Sequence, residues 1–470
     1  MIKKSPFVFF YLINIWWFGC SPKLDIAPGK VKTDWKTKNI PKSVQYTSGD
    51  ATRGFEYMKS GEYIGSGVPW KMLKKKLGKM RDSLTEVEVE PGYFLNYKIS
   101  LFKAPNGEKV VSGNCFTCHG TTFNGKLYYG LGDTFYDFTK SQKMASKALN
   151  SLVKLKYNKH KPERKAFEDF GSYYKALAPK IVTPVFGVNP AFRLAEACVQ
   201  HRDPVDLTYK KKSQFESIKF TIATDVPPLW NVKKKHALYY NAMGRGDFTK
   251  LLMQSVLLGL PDSTMARQVQ QEFVHVLAWL RSLEAPKYPR TIDRQLSASG
   301  KVIFEEHCKD CHGSYGEKED YPNKVVALSV IKTDPWYAWY AKDYSGFSPW
   351  YNKSWFANSD PVSKNVPVEG YIAPPLDGIW ASAPYLHNGS VPTLNTLLNS
   401  KERPDFWERS GKTDDYDYDK VGWNFQEKKN ASGKFVYDTS LPGYGNQGHT
   451  FGDKLSRQDR KALIEYLKTL

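Results

Sequence analysis

Two stretches of the chain place hydrophobic residues at helical spacing and end in the same way. The first runs from Ala266 to Leu283 and the second from Lys461 to Leu470. Each ends in an aromatic residue, leucine, a basic residue, a small residue and leucine. Apolar residues that recur every three to four positions form one face of an amphipathic helix. The pattern therefore predicts two helices that close two similar units.

Capping and turn signals near these stretches divide the chain. Ser456 and Asp459 have the spacing of a capping box, with Asp in place of the usual Glu or Gln. A helix is expected around Ser297 to Glu306, and the two prolines of Glu284 to Pro289 mark a boundary before it. The predicted divisions are an N-terminal leader at 1–20, a linker at 21–48, a first unit at 49–285 and a second unit at 290–470.

Long segments of mixed polarity fill the space between these signals. The largest are Asn150 to Asp262 and Ser314 to Gly370, both rich in Gly, Pro and aromatic residues. Such composition is typical of loops with short helices. We therefore expect a mainly α fold, built from two similar units with long loop insertions.

The first twenty residues have the pattern of an export signal. Lys3 and Lys4 precede an apolar run from Phe7 to Phe18 that is too short to span a bilayer comfortably. Gly19 before Cys20 resembles a bacterial lipoprotein processing site, which predicts lipidation of Cys20 and a membrane tether. Plain cleavage and an uncleaved anchor are the alternatives. All three place the protein in the periplasm or cell envelope.

Composition indicates a packed globular protein with a basic surface. Hydrophobic residues make up 41% and charged residues 25%, and the formal net charge is +20. Lysines cluster at 74–76, 210–212 and 233–235. Such clusters could dock an acidic redox partner or face anionic lipid, or they could be solvated surface. No nucleic-acid-binding module is recognisable, so nucleic acid is not an expected partner.

Two Cys-x-x-Cys-His motifs carry the chemistry. They run from Cys115 through Cys118 to His119, and from Cys308 through Cys311 to His312. This is the attachment signature of c-type haem: the two thiols bond the porphyrin vinyl groups and the histidine binds iron. A zinc site would need further ligands at matching spacing. We therefore expect two covalently bound haems in two cytochrome c-like domains, with His119 and His312 as axial ligands.

The second axial ligands decide between electron transfer and reaction with oxygen species. His160, His201 and His307 lie in polar or motif-adjacent sequence, as surface residues do. His275 falls inside a closing helix, and His236 follows a lysine triplet and could serve either role. The two remaining histidines in unusual local sequence are His387 and His449.

Two segments resemble a known group of proteins. Residues 373–394, which include Ala383-Pro384-Tyr385-Leu386-His387-Asn388-Gly389, resemble the di-haem cytochrome c peroxidase superfamily. Residues 446–452 resemble one branch of it, the rubber-oxygenase-like di-haem cytochromes. The resemblance covers roughly residues 50–470 and is more specific in the second unit.

This resemblance implies roles for individual residues. His449 matches the second axial ligand of the C-terminal haem, although it could instead cap the closing helix. Trp230 lies where the relatives place a tryptophan between the haems, although it could be ordinary core. His387 would support a propionate or the haem edge rather than bind iron. The superfamily often binds calcium between its domains, but no acidic loop here has clear calcium spacing.

The N-terminal haem is the reactive one in that family. No second ligand is obvious near Cys115, while Tyr239 and Tyr240 could line its distal pocket and Met243 could be a sixth ligand. We therefore expect an oxidoreductase that acts on peroxide or dioxygen at the N-terminal haem, with the C-terminal haem as electron relay. Its partner would be a small redox donor or acceptor protein. The alternatives are a non-enzymatic periplasmic electron carrier and, less favoured, a haem-based sensing module.

Overall fold

The computed structural model describes residues 33–77 and 81–470. The predicted export signal and Cys20 lie outside the described residues, as do residues 21–32 of the segment assigned to a linker. No helix in the described ranges is both long enough and apolar enough to cross a membrane.

The expectation of a mainly α fold was wrong, because the structure is mixed α/β. Helices account for 37% and strands for 16%, and the described residues form seven small sheets. Much of the strand content lies between residues 86 and 113, where polar and apolar residues alternate at the strand period of two. Gly92 (φ 75°) and Gly107 (φ 82°) make the turns that the hairpins require. This alternation was the sequence signal that the α-helical prediction overlooked.

The helices of the described chain are short apart from six. In order they are α1 Ala51–Ser60, α2 Trp70–Leu77, α3 Phe116–His119, α4 Lys143–Lys156, α5 Pro162–Leu177, α6 Ala191–Val199, α7 Phe248–Leu252, α8 Ser263–Ser282, α9 Arg294–His307, α10 Lys309–His312, α11 Leu328–Ile331, α12 Trp336–Asp343, α13 Phe347–Lys353, α14 Trp355–Asn358, α15 Leu394–Leu398 and α16 Arg457–Leu467. Short 3-10 helices cover Glu62–Ile64, Leu229–Lys234, Met253–Leu258, Ile379–Ala381 and Ser400–Glu402.

The strands are all paired antiparallel. In order they are β1 Thr37–Asn39, β2 Val68–Pro69, β3 Glu86–Glu90, β4 Tyr93–Asn96, β5 Ile99–Lys103, β6 Lys109–Gly113, β7 Gly120–Phe123, β8 Lys126–Tyr129, β9 Gly244–Gly246, β10 Lys324–Ala327, β11 Ser363–Asn365, β12 Gly370–Ile372, β13 Phe406–Arg409, β14 Tyr416–Asp417, β15 Gly422–Trp423, β16 Phe425–Glu427 and β17 Val436–Asp438. The three-stranded sheets have the orders β1-β10-β12, β2-β6-β5 and β16-β13-β17, and the hairpins and pairs are β3-β4, β7-β8, β9-β11 and β14-β15.

Two helix pairs organise the fold around the two Cys-x-x-Cys-His motifs. Helix α1 packs on α8, and α9 packs on α16. Each pair crosses at a glycine: a Cβ on Gly54 would clash with the carbonyl of His275, and one on Gly300 with the carbonyl of Ala462. The same close approach in both pairs is a structural repeat. It brings the opening and closing helices of each half together.

The closing helices begin close to where the sequence placed them. Asp262 caps α8 by accepting hydrogen bonds from the backbone N–H groups of Thr264 and Met265. The predicted capping box of Ser456 and Asp459 is confirmed at the start of α16. These caps satisfy backbone donors that have no partner inside the helix.

Strands and core join the two halves. Strand β1, from the segment assigned to a linker, pairs with β10, and β9 pairs with β11. The largest hydrophobic core combines Phe116 and Leu277 with Trp355 and Tyr444. The halves therefore share one core, whereas the domain limits at 285 and 290 stay a prediction.

Candidate haem sites

The second Cys-x-x-Cys-His motif lies at the junction of α9 and α10. Cys308 ends α9, its backbone N–H donating to the carbonyl of Phe304 (2.9 Å), and His312 ends α10. Gly313 (φ 81°) turns the chain away in a conformation that suits glycine. The Nδ1 of His312 lies 2.9 Å from the carbonyl oxygen of Pro374. An Nδ1–H donated there leaves Nε2 as the metal-binding nitrogen.

His449 lies opposite His312. Their ring centres are 6.3 Å apart. An iron held between two imidazoles separates the ring centres by roughly 6 Å, because each metal–nitrogen bond is about 2 Å long. Burial lowers the pKa of His449 to about 3, with the nearby His312 adding to the effect. The ring is therefore neutral, which is the form that binds a metal.

The loop that carries His449 is held by Arg403. The guanidinium of Arg403 donates to the carbonyls of Asn446 and Gly448 (both 2.6 Å) and of His449 itself (3.0 Å). The backbone N–H of His449 donates to the carbonyl of Ile331 (2.8 Å). These bonds hold the backbone that carries the His449 ring, and Arg403 was not identified from the sequence.

A cavity of about 230 Å³ lies between the two histidines and extends beyond them. Its walls include both motif cysteines and an apolar group formed by Phe304, Leu394, Leu397, Leu398, Phe451, Leu455, Leu463 and Leu467. The far end is polar and is lined by Asp225, Lys235, Tyr240 and His387. Thiols at one end, an imidazole on each side and apolar walls fit a c-type haem.

The lysine triplet at 233–235 is not a uniform solvated patch. Lys233 pairs with Glu284 (2.6 Å) and Lys234 with Asp377 (2.6 Å). Lys235 lines the cavity and makes no ion pair with any described residue. Burial lowers its pKa to about 8. Lys233 and Lys234 are therefore held in ion pairs, and Lys235 lies at the candidate site.

Two loops of the same shape meet at the polar end of the cavity. In residues 238–244 and 385–391 the first and last residues bond each other's backbone, and Tyr239 and Leu386 both have φ 68°. Tyr240 occupies in the first loop the place of His387 in the second, and their ring centres are 6.3 Å apart. Each loop follows a Pro-Pro-Leu sequence, at 227–229 and 374–376. That repeated tripeptide was the sequence signal for this arrangement.

His387 is buried within this end of the cavity. Its ring stacks on Tyr371 with the centres 4.0 Å apart, and its Nε2 has no hydrogen-bond partner among the described residues. Burial lowers its pKa to about 3. Asp225, which the sequence did not single out as a site residue, donates from its backbone N–H to the carbonyl of His387 (2.7 Å). Burial raises the pKa of the Asp225 carboxyl to about 8.

The first motif lies between β6 and β7 on helix α3. The backbone N–H of Cys115 donates to the hydroxyl of Tyr63 (2.9 Å), and Phe116 is fully buried in the core. Burial lowers the pKa of His119 to about 4, and its Nδ1 has no partner among the described residues. The Cys118 thiol pKa is raised by burial. These residues fit a second haem, although its attachment lies on a short helix between two strands rather than at the end of a long helix.

The structure places Tyr239 and Tyr240 against the cavity of the second motif. The sequence had suggested a role for them at the first motif. Tyr239 and Tyr240 lie at the second motif because residues 225–240 pack against the second half. In that segment the side-chain amide of Asn231 donates to the carbonyl of Pro375 (3.1 Å). Met243 lies in the core, its carbonyl accepting from the N–H of Val366 (2.7 Å).

Trp230 lies between backbone segments that contact the two motifs. Its indole N–H donates to the carbonyl of Asp377 (2.8 Å), three residues after the proline that contacts His312. On the other side its ring lies beside Gly130, whose N–H donates to the carbonyl of His119 (2.8 Å). The side chain is 2% exposed. Its part in electron transfer stays a prediction.

The remaining histidines have structural partners or face solvent. His275 accepts a hydrogen bond from the N–H of Asp50 (2.8 Å) beside the first helix crossing, and Nδ1 of His236 lies 2.9 Å from the carbonyl oxygen of Ile40. His160 is exposed. Within 33–77 and 81–470, no group of three or more His, Cys, Asp or Glu side chains is placed to hold a metal ion, so the calcium suggestion has no support.

A family comparison supports the chemistry of the second half. Residues 370–408 match the model of the RoxA-like, cytochrome c-like family. The matched segment contains His387 and the Pro-Pro-Leu sequence beside His312. This part of the chain is therefore cytochrome c-like, which suggests a haem-binding electron-transfer cytochrome. The match does not extend to the peroxidase superfamily as such.

Comparison with whole proteins gives partial similarity. The chain is 31% identical over 256 residues to the uncharacterised protein y4iJ of Sinorhizobium fredii, covering 40% of this chain and 41% of that protein. It is 26% identical over 302 residues to y4iM of the same organism, covering 56% and 68%. The chain thus spans less than half of y4iJ. A hydrazine synthase structure from Kuenenia stuttgartiensis covers 63% of this chain and 92% of its own, at 14% identity and a TM-score of 0.26, which is too low to define a common fold.

Proposed function

We propose that this chain is an exported c-type cytochrome with two haems, and an oxidoreductase. Peroxide or dioxygen would react at the Cys115 site, and the Cys308 site would relay electrons. The observation that carries the proposal is the pair His312 and His449, 6.3 Å apart across a cavity bounded by both cysteines of the second motif.

His312 and His449 would hold the iron of a haem at the second site from two sides. A bound haem supplies one-electron transfer, and activation of peroxide or dioxygen where an axial position is open. His312 is oriented by Pro374 and His449 by the backbone bonds of its loop. An iron held between these two imidazoles would have no position left for substrate, and the apolar side chains of the cavity wall would limit its contact with water. This arrangement favours electron relay.

The first site supports a different role. In the described part of the chain, no second histidine ring faces His119 as His449 faces His312. Trp230 lies between the backbones of the two sites and is our candidate for the route between them. Export through the 1–20 signal, a lipid on Cys20 and a small redox protein as electron donor or acceptor belong to the same proposal.

Low-temperature electron paramagnetic resonance of the oxidised protein tests this assignment. The proposal predicts one low-spin and one high-spin iron, with cyanide and carbon monoxide binding at one haem. His449→Ala removes the second imidazole and should add a second high-spin signal. His307→Ala is the matched control, since that partly exposed histidine adjoins the same motif. A low-spin signal that survives His449→Ala would contradict the ligand assignment.

A non-enzymatic electron carrier is the second candidate. Burial lowers the pKa of His119 to about 4, so its imidazole is neutral and available to an iron in this role as well. Two low-spin irons that bind neither cyanide nor carbon monoxide, with no turnover of peroxide, would establish this alternative.

A further inference from the structure

Residues 140–161 form the most basic segment of the described chain outside the candidate sites. They contain seven lysines, at positions 140, 143, 147, 154, 156, 159 and 161, and no aspartate or glutamate. All seven side chains are exposed. The segment comprises α4 with the residues that flank it, and no motif in it relates to haem.

These lysines have no ion-pair partners among the described residues. Elsewhere in the same half, Lys71 pairs with Glu163 (2.9 Å) and Lys74 with Glu90 (2.9 Å). No ion pair with the part of the chain that the structure describes therefore neutralises these seven side chains. A field of one sign at a surface attracts anionic partners.

Helix α4 also exposes large apolar side chains among its lysines. Its inner face buries Val153 and packs Leu149 against the small core with Phe167 of α5. On the outer side Met144 is 73% exposed and Leu155 is 87% exposed. These two lie eleven residues apart, which is three helical turns, so they share one face. Leu152, 45% exposed, lies to one side of them.

We propose that this outer face of α4, together with Lys159 and Lys161, docks the protein on an anionic lipid surface. An interfacial helix inserts apolar side chains at the level of the headgroups and places lysines against lipid phosphates. Lysine side chains can extend from an apolar stripe to charged headgroups. A merely solvated basic face accounts for the lysines but leaves Met144 and Leu155 without a function.

An acidic protein partner is the competing occupant. An acidic protein would form ion pairs with the lysines, but a charged surface would not bury the exposed side chains of Met144 and Leu155. An anionic lipid surface can accommodate the apolar side chains and bind the lysines on the same face, so the observations favour lipid. The proposal is independent of the haem assignments and of lipidation at Cys20.

Sedimentation of the full-length holoprotein with vesicles tests the proposal. Binding is expected to vesicles of phosphatidylcholine and phosphatidylglycerol in equal parts, to weaken with salt, and to be absent with phosphatidylcholine alone. An acyl chain or an uncleaved leader would bind both kinds of vesicle. Failure to bind the anionic vesicles beyond the neutral ones would overturn the proposal.

Two variants locate the contact. The double change Lys143→Glu and Lys147→Glu should weaken binding at least about tenfold, because each lysine near an anionic surface contributes about 1 kcal/mol. The matched control is Lys211→Glu with Lys212→Glu, an exposed pair outside the segment, which should bind as the parent does. Equal losses in both doubles would indicate non-specific charge attraction and contradict the assignment to α4.

The apolar contribution needs its own variant. Met144→Ser with Leu155→Ser leaves the charge unchanged and alters only exposed side chains, so folding should be unaffected. Binding to the anionic vesicles should fall, most clearly at high salt where the lysine contribution is screened. Unchanged binding would show that charge alone accounts for the attachment to vesicles and would overturn the insertion of Met144 and Leu155 into the lipid surface.

Discussion

At the residue scale, burial rather than charge pairing sets the properties of the candidate sites. His119, His387 and His449 are all held neutral by burial, which lowers each pKa to between about 3 and 4. A neutral imidazole is available to a metal throughout the physiological pH range. Asp225 shows the same effect with the opposite sign, since burial raises its pKa to about 8.

The stability of the protein should therefore depend on the ionisation of Asp225. An aspartate in the unfolded chain has a pKa of about 3.9, whereas in the folded protein the Asp225 proton is retained up to about pH 8. Between these values the folded state binds the extra proton, so the contribution of Asp225 lowers the free energy of unfolding as pH rises from about 4 to 8. Above pH 8 the contribution is constant.

The variant Asp225→Asn tests this prediction, because an amide cannot ionise. Relative to the parent, the variant should gain stability between pH 5 and pH 9 by up to a few kcal/mol, as measured by urea unfolding at each pH. Asp419→Asn, at an exposed position, should show no such gain. Asp334, whose pKa burial raises to about 6, stays in both proteins and cancels in the comparison. Parallel pH profiles for Asp225→Asn and the parent would refute the prediction.

At the element scale, the two helix crossings define the repeat. Gly300 lets α9 approach the backbone of α16, just as Gly54 lets α1 approach α8. A glycine inside a helix normally weakens it by about 1 kcal/mol relative to alanine. Its presence at both crossings therefore reflects close packing rather than helix propensity.

Gly300→Ala should consequently destabilise the protein. Helix propensity alone predicts stabilisation by about 1 kcal/mol, but the added methyl would clash with the carbonyl of Ala462 and force the helices apart. Overpacking of this kind costs about 1–3 kcal/mol. Thermal or urea unfolding measures the outcome, with Ser299→Ala at an exposed position of α9 as the control. A stabilised Gly300→Ala protein would show that the crossing is looser than described.

At the scale of the whole molecule, the two halves are interlocked. Residues 33–48 reach the second half through β1, and β9 of the first half pairs with β11 of the second. The cavity beside His312 takes Lys235 and Tyr240 from the first half. The second site is therefore incomplete without residues that precede the predicted boundary.

The protein should accordingly unfold as one unit. Helical circular dichroism and tryptophan fluorescence should change with coincident midpoints during urea unfolding, because the main core draws on both halves. Proteolysis between residues 284 and 289 should leave the two fragments associated under native conditions. Two separate transitions, or fragments that part on a sizing column, would contradict a shared core.

Much of the chemistry lies in short stretches that the sequence displays directly. The cysteines and histidine of each motif are neighbours in the chain, so their arrangement is local. The closing helices and the cap at Ser456 were likewise predicted, because helical periodicity and capping depend on residues a few positions apart. From the sequence, the placement of His449 opposite His312 is implied only by the resemblance, and the structure puts their ring centres 6.3 Å apart.

Other features were decided only by tertiary structure. The small sheets depend on which strands pair, and the pairings of β1 with β10 and β9 with β11 join segments far apart in sequence. Asp225 and Lys235 look like surface residues in the sequence, yet the chain carries them into the cavity of the other half. Local sequence thus determined where haem could be attached. Tertiary packing, which brings segments distant in sequence against each motif, determined what surrounds each attachment point. Burial and contacts between distant segments exist only in the folded molecule.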